Sequence, residues 1–360
     1  MKTKNRYHIY HFLFTIAILF IIAIFLTTGC HSPTGPGQNN QLDTTSHAFT
    51  WKTYVLGDGN ASTLNGVAII NDTLVYVVGD IEKMDSTGQF DPDPYNLAVW
   101  DGYQWLLQRI QFYTICGQSH MTSYPINSIF EFNQNDIWFS DGDEMVHWTG
   151  TNYEHDCSIS SQINGAINKI WGTSSNNLYV VGNVGTILHF SSNSWQKLSS
   201  GTTTDINDVW GINSLIGQTV YCPTSNSFDP NEDKKILKVT NGNKVDSIKW
   251  IGREVYSVWT PDGNHLYTAG DGVFENDGSG WKEMVTGASI ATTRVRGNSN
   301  ADWIVVGGFG FIAHWNGKDF KIYPPAGDII YRGLAMKGNT VVAVGTTGED
   351  AVVTIGKRKH

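Results

Sequence analysis

The feature that most constrains this chain is a pattern that returns about every 40 residues. Ile167-Asn168-Lys169-Ile170-Trp171-Gly172 is followed by Ile206-Asn207-Asp208-Val209-Trp210-Gly211. Weaker copies stand at Ile126-Asn127-Ser128-Ile129-Phe130 and Val255-Tyr256-Ser257-Val258-Trp259. A repeat of this length, built from short alternating strands, marks a propeller blade or a similar array. Repeats begin near Leu64, Ile126, Ile167, Ile206, Val255, Thr292 and Ile330. Each reads as an inner strand, a second strand often closing in Val-Gly, a third strand, a tight turn and a fourth strand. The turns, such as Asp101-Gly102, Asn241-Gly242 and Asn316-Gly317, carry residues that accept the positive φ of hairpins.

The seventh repeat stops after Ala351–Ile355, one strand short. Its missing strand is present at the other end of the chain, where Trp51-Lys52-Thr53-Tyr54-Val55 matches Trp195-Gln196-Lys197-Leu198. An N-terminal strand completing the last blade would leave no naked edge between first and last blades. The expected fold is therefore all-β: a seven-bladed β-propeller of four-stranded blades, the last closed by an N-terminal strand. Six or eight blades is the alternative, because the fourth repeat is irregular. The 38 Gly, 13 Trp, 15 Tyr and 16 Phe fit many tight hairpins around a packed β core. The net charge of −9 argues against a nucleic-acid partner.

The N-terminus has a targeting pattern. Lys2, Lys4 and Arg6 precede Phe12–Leu26, which is apolar except for Thr15 and shorter than the about 20 residues of a membrane span. Leu26-Thr27-Thr28-Gly29-Cys30 resembles the lipobox of bacterial lipoproteins, with Thr27 where the family has Leu. The resemblance implies a signal peptide over 1–29, a lipidated (palmitate-bearing) Cys30 and a monomer held to a membrane by acyl chains. It places the chain in the bacterial cell envelope, and His31 rather than Asp after the Cys favours the outer membrane. A non-cleaved anchor helix and an ordinary secretory signal are the competing readings. Residues 30–48 are rich in Ser, Thr, Pro, Gly, Gln and Asn and read as a flexible tether. Residues 49–360 are the propeller domain. Of the other cysteines, Cys116 and Cys157 follow the last strands of adjacent repeats and form a candidate disulfide. Cys222 reads as a small core residue.

The turns Trp100-Asp101-Gly102-Tyr103-Gln104-Trp105, Asn276-Asp277-Gly278-Ser279-Gly280-Trp281 and Trp315-Asn316-Gly317-Lys318-Asp319-Phe320 resemble a degenerate Asp-box. That box belongs to sialidase-type and photosystem-assembly-factor-like propellers. The resemblance implies the fold and is nearly silent on activity.

His147, His189 and His314 share a repeat position on third strands, too far from the axis to converge on one ion. They read as packing residues between blades. Trp171, Trp210 and Trp259 share an inner-strand position, where Arg296 stands in the sixth repeat. They read either as inter-blade packing or as an aromatic lining that can stack on sugars. The long insertions, Asp80–Asn96 and Ser225–Lys234, fall on the face that also bears the connections between blades. Long loops on one face of a repeat protein mark a binding face. Asp80, Asp91, Asp93, Asp141, Asp271 and Asp350 make that face acidic. No cofactor is expected, although Asp91-Pro92-Asp93 raises a weak case for calcium.

The expectation is a binding or assembly module for a protein or glycan partner. A structural surface protein is a further possibility. A carbohydrate-active enzyme is the main alternative, and it needs paired carboxylates or Arg294, Arg296 and Arg332 meeting at the axis. No catalytic motif stands in the sequence.

Overall fold

The computed structural model describes residues 44–215, 217–226 and 233–359. Cys30, the signal peptide and most of the tether lie outside them, as do Asp229 and Glu232 of the fourth-repeat insertion.

Seven four-stranded antiparallel sheets form a seven-bladed β-propeller with almost no helix. The inner strands are Thr63–Asn71, Ser128–Asn133, Ile167–Ser174, Trp210–Ser214, Val255–Trp259, Thr292–Ser299 and Ile330–Lys337. The blades are called 1 to 7 in that order. Blade 7 is completed by Phe49–Val55, which pairs antiparallel with Ala351–Arg358, Trp51 opposite Gly356 and Thr53 opposite Thr354. The ring is thus closed by the two ends of the domain, and blade 7 keeps its outer edge covered by the N-terminal strand.

Second strands lie between neighbouring blades and bury both faces. Leu178–Gly182 and Trp303–Gly307 are fully buried, which explains their unbroken apolar runs. The Val-Gly that closes them has a steric cause. In blades 1, 3, 5, 6 and 7 the inner strand slips register by one residue, at Asn65, Asn168, Tyr256, Thr293 and Arg332. The bulge pushes the preceding carbonyl against the second strand. A Cβ at Gly79, Gly182, Gly270, Gly307 or Gly345 would overlap that oxygen. In each of these five blades the glycine therefore permits the bulge opposite it.

Each histidine on a third strand has a hydrogen-bond partner within its own blade. His147 hydrogen-bonds Asp136 at 2.8 Å, His189 bonds Asn177 at 2.8 Å, and His314 bonds Asp302 at 2.9 Å. His147 and His189 also stack on Trp138 and Tyr179 of the adjacent second strand. The cross-strand neighbour thus supplies one contact, and the expected packing between blades is seen at His189, which also lies against Gly242 in the outer turn of blade 4. His314 has a further role. Its Nδ1 lies 2.7 Å from His47 Nδ1, and His47 Nε2 lies 3.0 Å from Asp319. Tyr323 OH donates to the His47 carbonyl. Together these latch the segment leading into the closing strand.

Cys116 and Cys157 are joined in a disulfide, Cα to Cα 5.5 Å. It pins the connection between blades 1 and 2, whose base is the short pair Phe112–Tyr113 and Met121–Thr122. Buried Glu144 braces the same connection, accepting from Tyr113 N–H at 2.8 Å and pairing with His155 at 2.5 Å. Cys222 is a buried free thiol, and burial raises its pKa.

Candidate binding face

At or just before its start, each inner strand puts one side chain at one mouth of the axis. These are Asn65, Asn127, Asn168 and Asn207 in four successive blades, then Tyr256, Thr293 and Arg332. The ring bounds a depression of about 740 Å³, with Arg294 and Ile330 also in its wall. Because inner strands start here, the mouth opens on the face that carries the connections between blades. The asparagines staple the ring: the Nδ2 groups of Asn65, Asn127 and Asn168 donate to the carbonyls of Ile126, Ile167 and Ile206, one blade on, at 3.0–3.1 Å. Thr293 does the same to Tyr331 at 2.7 Å.

The axis is cationic. Arg332 is exposed and, among the described residues, makes no hydrogen bond or ion pair. Among the described residues Arg294 donates to the backbone carbonyls of Thr293 and Tyr256 alone, and its buried Nε has no partner there. Burial pulls its pKa down, and Arg296 and Arg332 beside it add to the shift. Lys169 is likewise lowered to about 8 by burial and then by Arg296.

Asp208, fully buried between these cations, is already saturated. It pairs with Arg296 at 2.6 Å and accepts from Ser257 Oγ at 2.6 Å and Val258 N–H at 3.2 Å. Burial opposes its charge, yet Arg296 and Arg294 outweigh that and hold its pKa below the usual carboxylate range. Glu131, toward the opposite mouth, is raised to about 7 by burial. Arg296, Arg294 and Lys169 thus act on one ionised carboxylate, Asp208, while Arg332 stands apart from it.

The arginine trio does not meet. Arg294 and Arg332 line the large depression. Arg296 belongs to a smaller cavity of about 210 Å³ toward the other mouth, where it lies over the Trp210 ring. Among the described residues the wall of the large depression contains no carboxylate, whereas glycoside hydrolysis needs a pair. Of the aromatic ring, Trp171 and Trp259 are buried between blades at 5% and 2% exposure, and Trp210 alone is half-buried.

The acidic residues sit around the rim and do not converge. Asp91 pairs with Arg109 at 2.5 Å, and Asp93 accepts from Ser123. Arg109 also stacks on Tyr95 and donates to the Asp93 carbonyl, which folds the first insertion on itself. Asp141 accepts from backbone N–H groups of its own loop, and burial raises its pKa. Asp80 is raised by burial too and has one oxygen without a partner. Asp271 lies 3.8 Å from Arg253, and Asp350 closes a turn with Thr347. Among the described residues the three-member group of metal-type ligands is Cys116, Glu144 and Cys157, and its sulfurs are joined in the disulfide.

Sequence reasoning missed two features of this face. The first is the asparagine ring, visible as the Asn that follows Leu64 in the first repeat and Ile in the next three. The second is a pair of strained turns. Val184 and Phe309 hold φ at 52° and 53° in equivalent loops between second and third strands, and both are exposed, at 46% and 70%. A β-branched or bulky residue is rare in this region. Ile251, Val285 and Ile330 add exposed apolar surface on the same face, at 59%, 79% and 48%.

No protein family matches the sequence, and no curated protein does. Solved structures do resemble the fold. One is YCF48 bound to D1 peptide, with a TM-score of 0.63 and 14% identity, covering 86% of this chain and 97% of that chain. A second is the WD40 β-propeller domain of Doa1, with a TM-score of 0.60 and 14% identity, covering 87% and 98%. A third is catalytically inactive virginiamycin B lyase from Staphylococcus aureus with quinupristin, with a TM-score of 0.60 and 10% identity, covering 86% and 100%. At such identities the likeness establishes the seven-bladed ring and nothing of the activity.

Proposed function

We propose that this protein is a lipid-anchored, extracytoplasmic propeller that binds a protein partner through the face bearing the connections between blades. The observation that carries the reading is the concentration of exposed apolar side chains on that face around a 740 Å³ depression. Two of those side chains are displayed on left-handed backbone at a conformational cost of about 1–2 kcal/mol each. An apolar patch rimmed by polar residues is the usual sign of a protein interface. Sugar stacking is less well served, since Trp171 and Trp259 are buried and Trp210 lies under Arg296. That YCF48 was solved with a peptide is consistent with a peptide or protein ligand for this chain. The envelope location rests on the Leu26–Cys30 segment of the sequence.

Two experiments test this. A photocrosslinking residue at Phe309 should trap a defined partner in intact cells, and the same residue at Tyr103, on the opposite face, should not. Equal trapping at both positions would remove the assignment of the face. Labelling with a palmitate analogue should mark the native chain and be lost in Cys30→Ser. Labelling that persists would remove the anchor.

A further inference from the structure

Resting on that binding reading, we infer that the depression takes a single carboxylate of a partner peptide between Arg332 and Arg294. The protein is acidic overall, at −9, yet Arg294 and Arg332 share a depression whose described wall holds no carboxylate, while Asp208 is saturated by Arg296, Ser257 and Val258 and Glu131 lies with Lys169 in the other cavity. Such an excess of like charge in a stapled ring is unfavourable unless something neutralises it. Arg332 has no partner among the described residues, and Arg294 keeps a buried, unpaired Nε in the wall of the depression. A guanidinium matches a carboxylate with two parallel hydrogen bonds.

The surroundings select the carrier of that charge. Asp80, Asp141, Asp271 and Asp350 stand on the rim, so a polyanion such as nucleic acid or an anionic membrane is repelled before it reaches the centre. A lone carboxylate in an otherwise neutral or basic segment is not. Next to Arg332 the wall holds the exposed Ile330, and outside it the Phe309 turn is tied to blade 7 by Gly310 N–H donating to the Ile329 carbonyl at 2.7 Å. The ligand is therefore a peptide that presents an apolar side chain beside its carboxylate. Either a chain terminus or an Asp or Glu side chain provides that group.

Three fluorescent pools of randomised octapeptides distinguish these cases on the full-length protein in detergent. The first has a free carboxyl terminus and no Asp or Glu. The second is amidated and contains Asp or Glu. The third is amidated and lacks both. Binding of the first or second pool at least about tenfold tighter than the third supports the inference. That preference should disappear in Arg332→Gln, an exposed position where folding is not at risk, and return in part in Arg332→Lys. Binding of all three pools alike, unchanged by Arg332→Gln, overturns the carboxylate while leaving the binding face intact. No binding of any pool, with Phe309 crosslinking retained, overturns the carboxylate as well. Loss of crosslinking at Phe309 would instead remove the reading on which it rests.

Discussion

Phe309 is the residue at which structure and function pull apart most clearly. Its φ of 53° favours Asn or Gly, and its ring is 70% exposed. Phe309→Asn should therefore raise stability, by about 0.5–1 kcal/mol from relief of the left-handed strain, while weakening partner capture. Urea unfolding checks the first half, and a loss of stability would show that the ring is held by packing after all. The Asp208–Arg296 pair gives the opposite case. Both groups are buried, and Asp208 also holds Ser257 and Val258 of blade 5. Arg296→Leu leaves that carboxylate uncompensated and should cost about 3–5 kcal/mol. A cost below 1 kcal/mol in a melt would mean that the bridge is not structural.

At the scale of elements, two local fasteners carry testable weight. The disulfide closes a stretch of 41 residues. By the chain-entropy relation its removal in Cys116→Ser/Cys157→Ser costs about 4 kcal/mol. Denaturant midpoints of the oxidised protein and the double variant measure it, and equal midpoints would contradict it. The His47–His314 latch is sensitive to acid. Burial lowers the folded pKa of His314, with His47 and Arg358 adding to the shift against the pull of Asp302. Its stabilising contribution is therefore present above its unfolded pKa of about 6.5 and falls away as pH drops below it. Stability measured from pH 7.5 to 5 should decline less steeply in His314→Gln than in the native chain. Identical slopes would place the sensitivity elsewhere, for example at His189, which burial also lowers.

The same scale shows what the sequence makes legible. Strand positions, the turns and the completion of blade 7 were readable because period-2 alternation and Gly-rich turns are local signals. The bulges were not, although their glycine partners were in view as the recurring Val-Gly. A bulge is a relation between two strands, and the carbonyl that forbids a Cβ at Gly182 belongs to a residue 16 positions earlier, Ala166. The site was legible only in part. Loop lengths pointed to the binding face, and counting Asp and Glu made it look uniformly acidic. Which arginines find carboxylates depends on contacts across blades, such as Asp208 with Arg296, 88 residues apart.

For the whole molecule, everything depends on the closed ring. The depression has its shape because seven inner strands are held at fixed spacing, four of them stapled to the next by Asn65, Asn127, Asn168 and Thr293. The closing strand supplies the last of those constraints. Thr53 and Thr354 face each other across that seam, their hydroxyls 2.9 Å apart. The most direct measurement is therefore peptide mapping, without reduction, of Thr53→Cys/Thr354→Cys. A closed ring predicts near-complete formation of the 53–354 disulfide in folded protein, with the native Cys116–Cys157 bridge intact and Cys222 free. Two free thiols at 53 and 354, or a bridge from position 53 to any other cysteine, would contradict it.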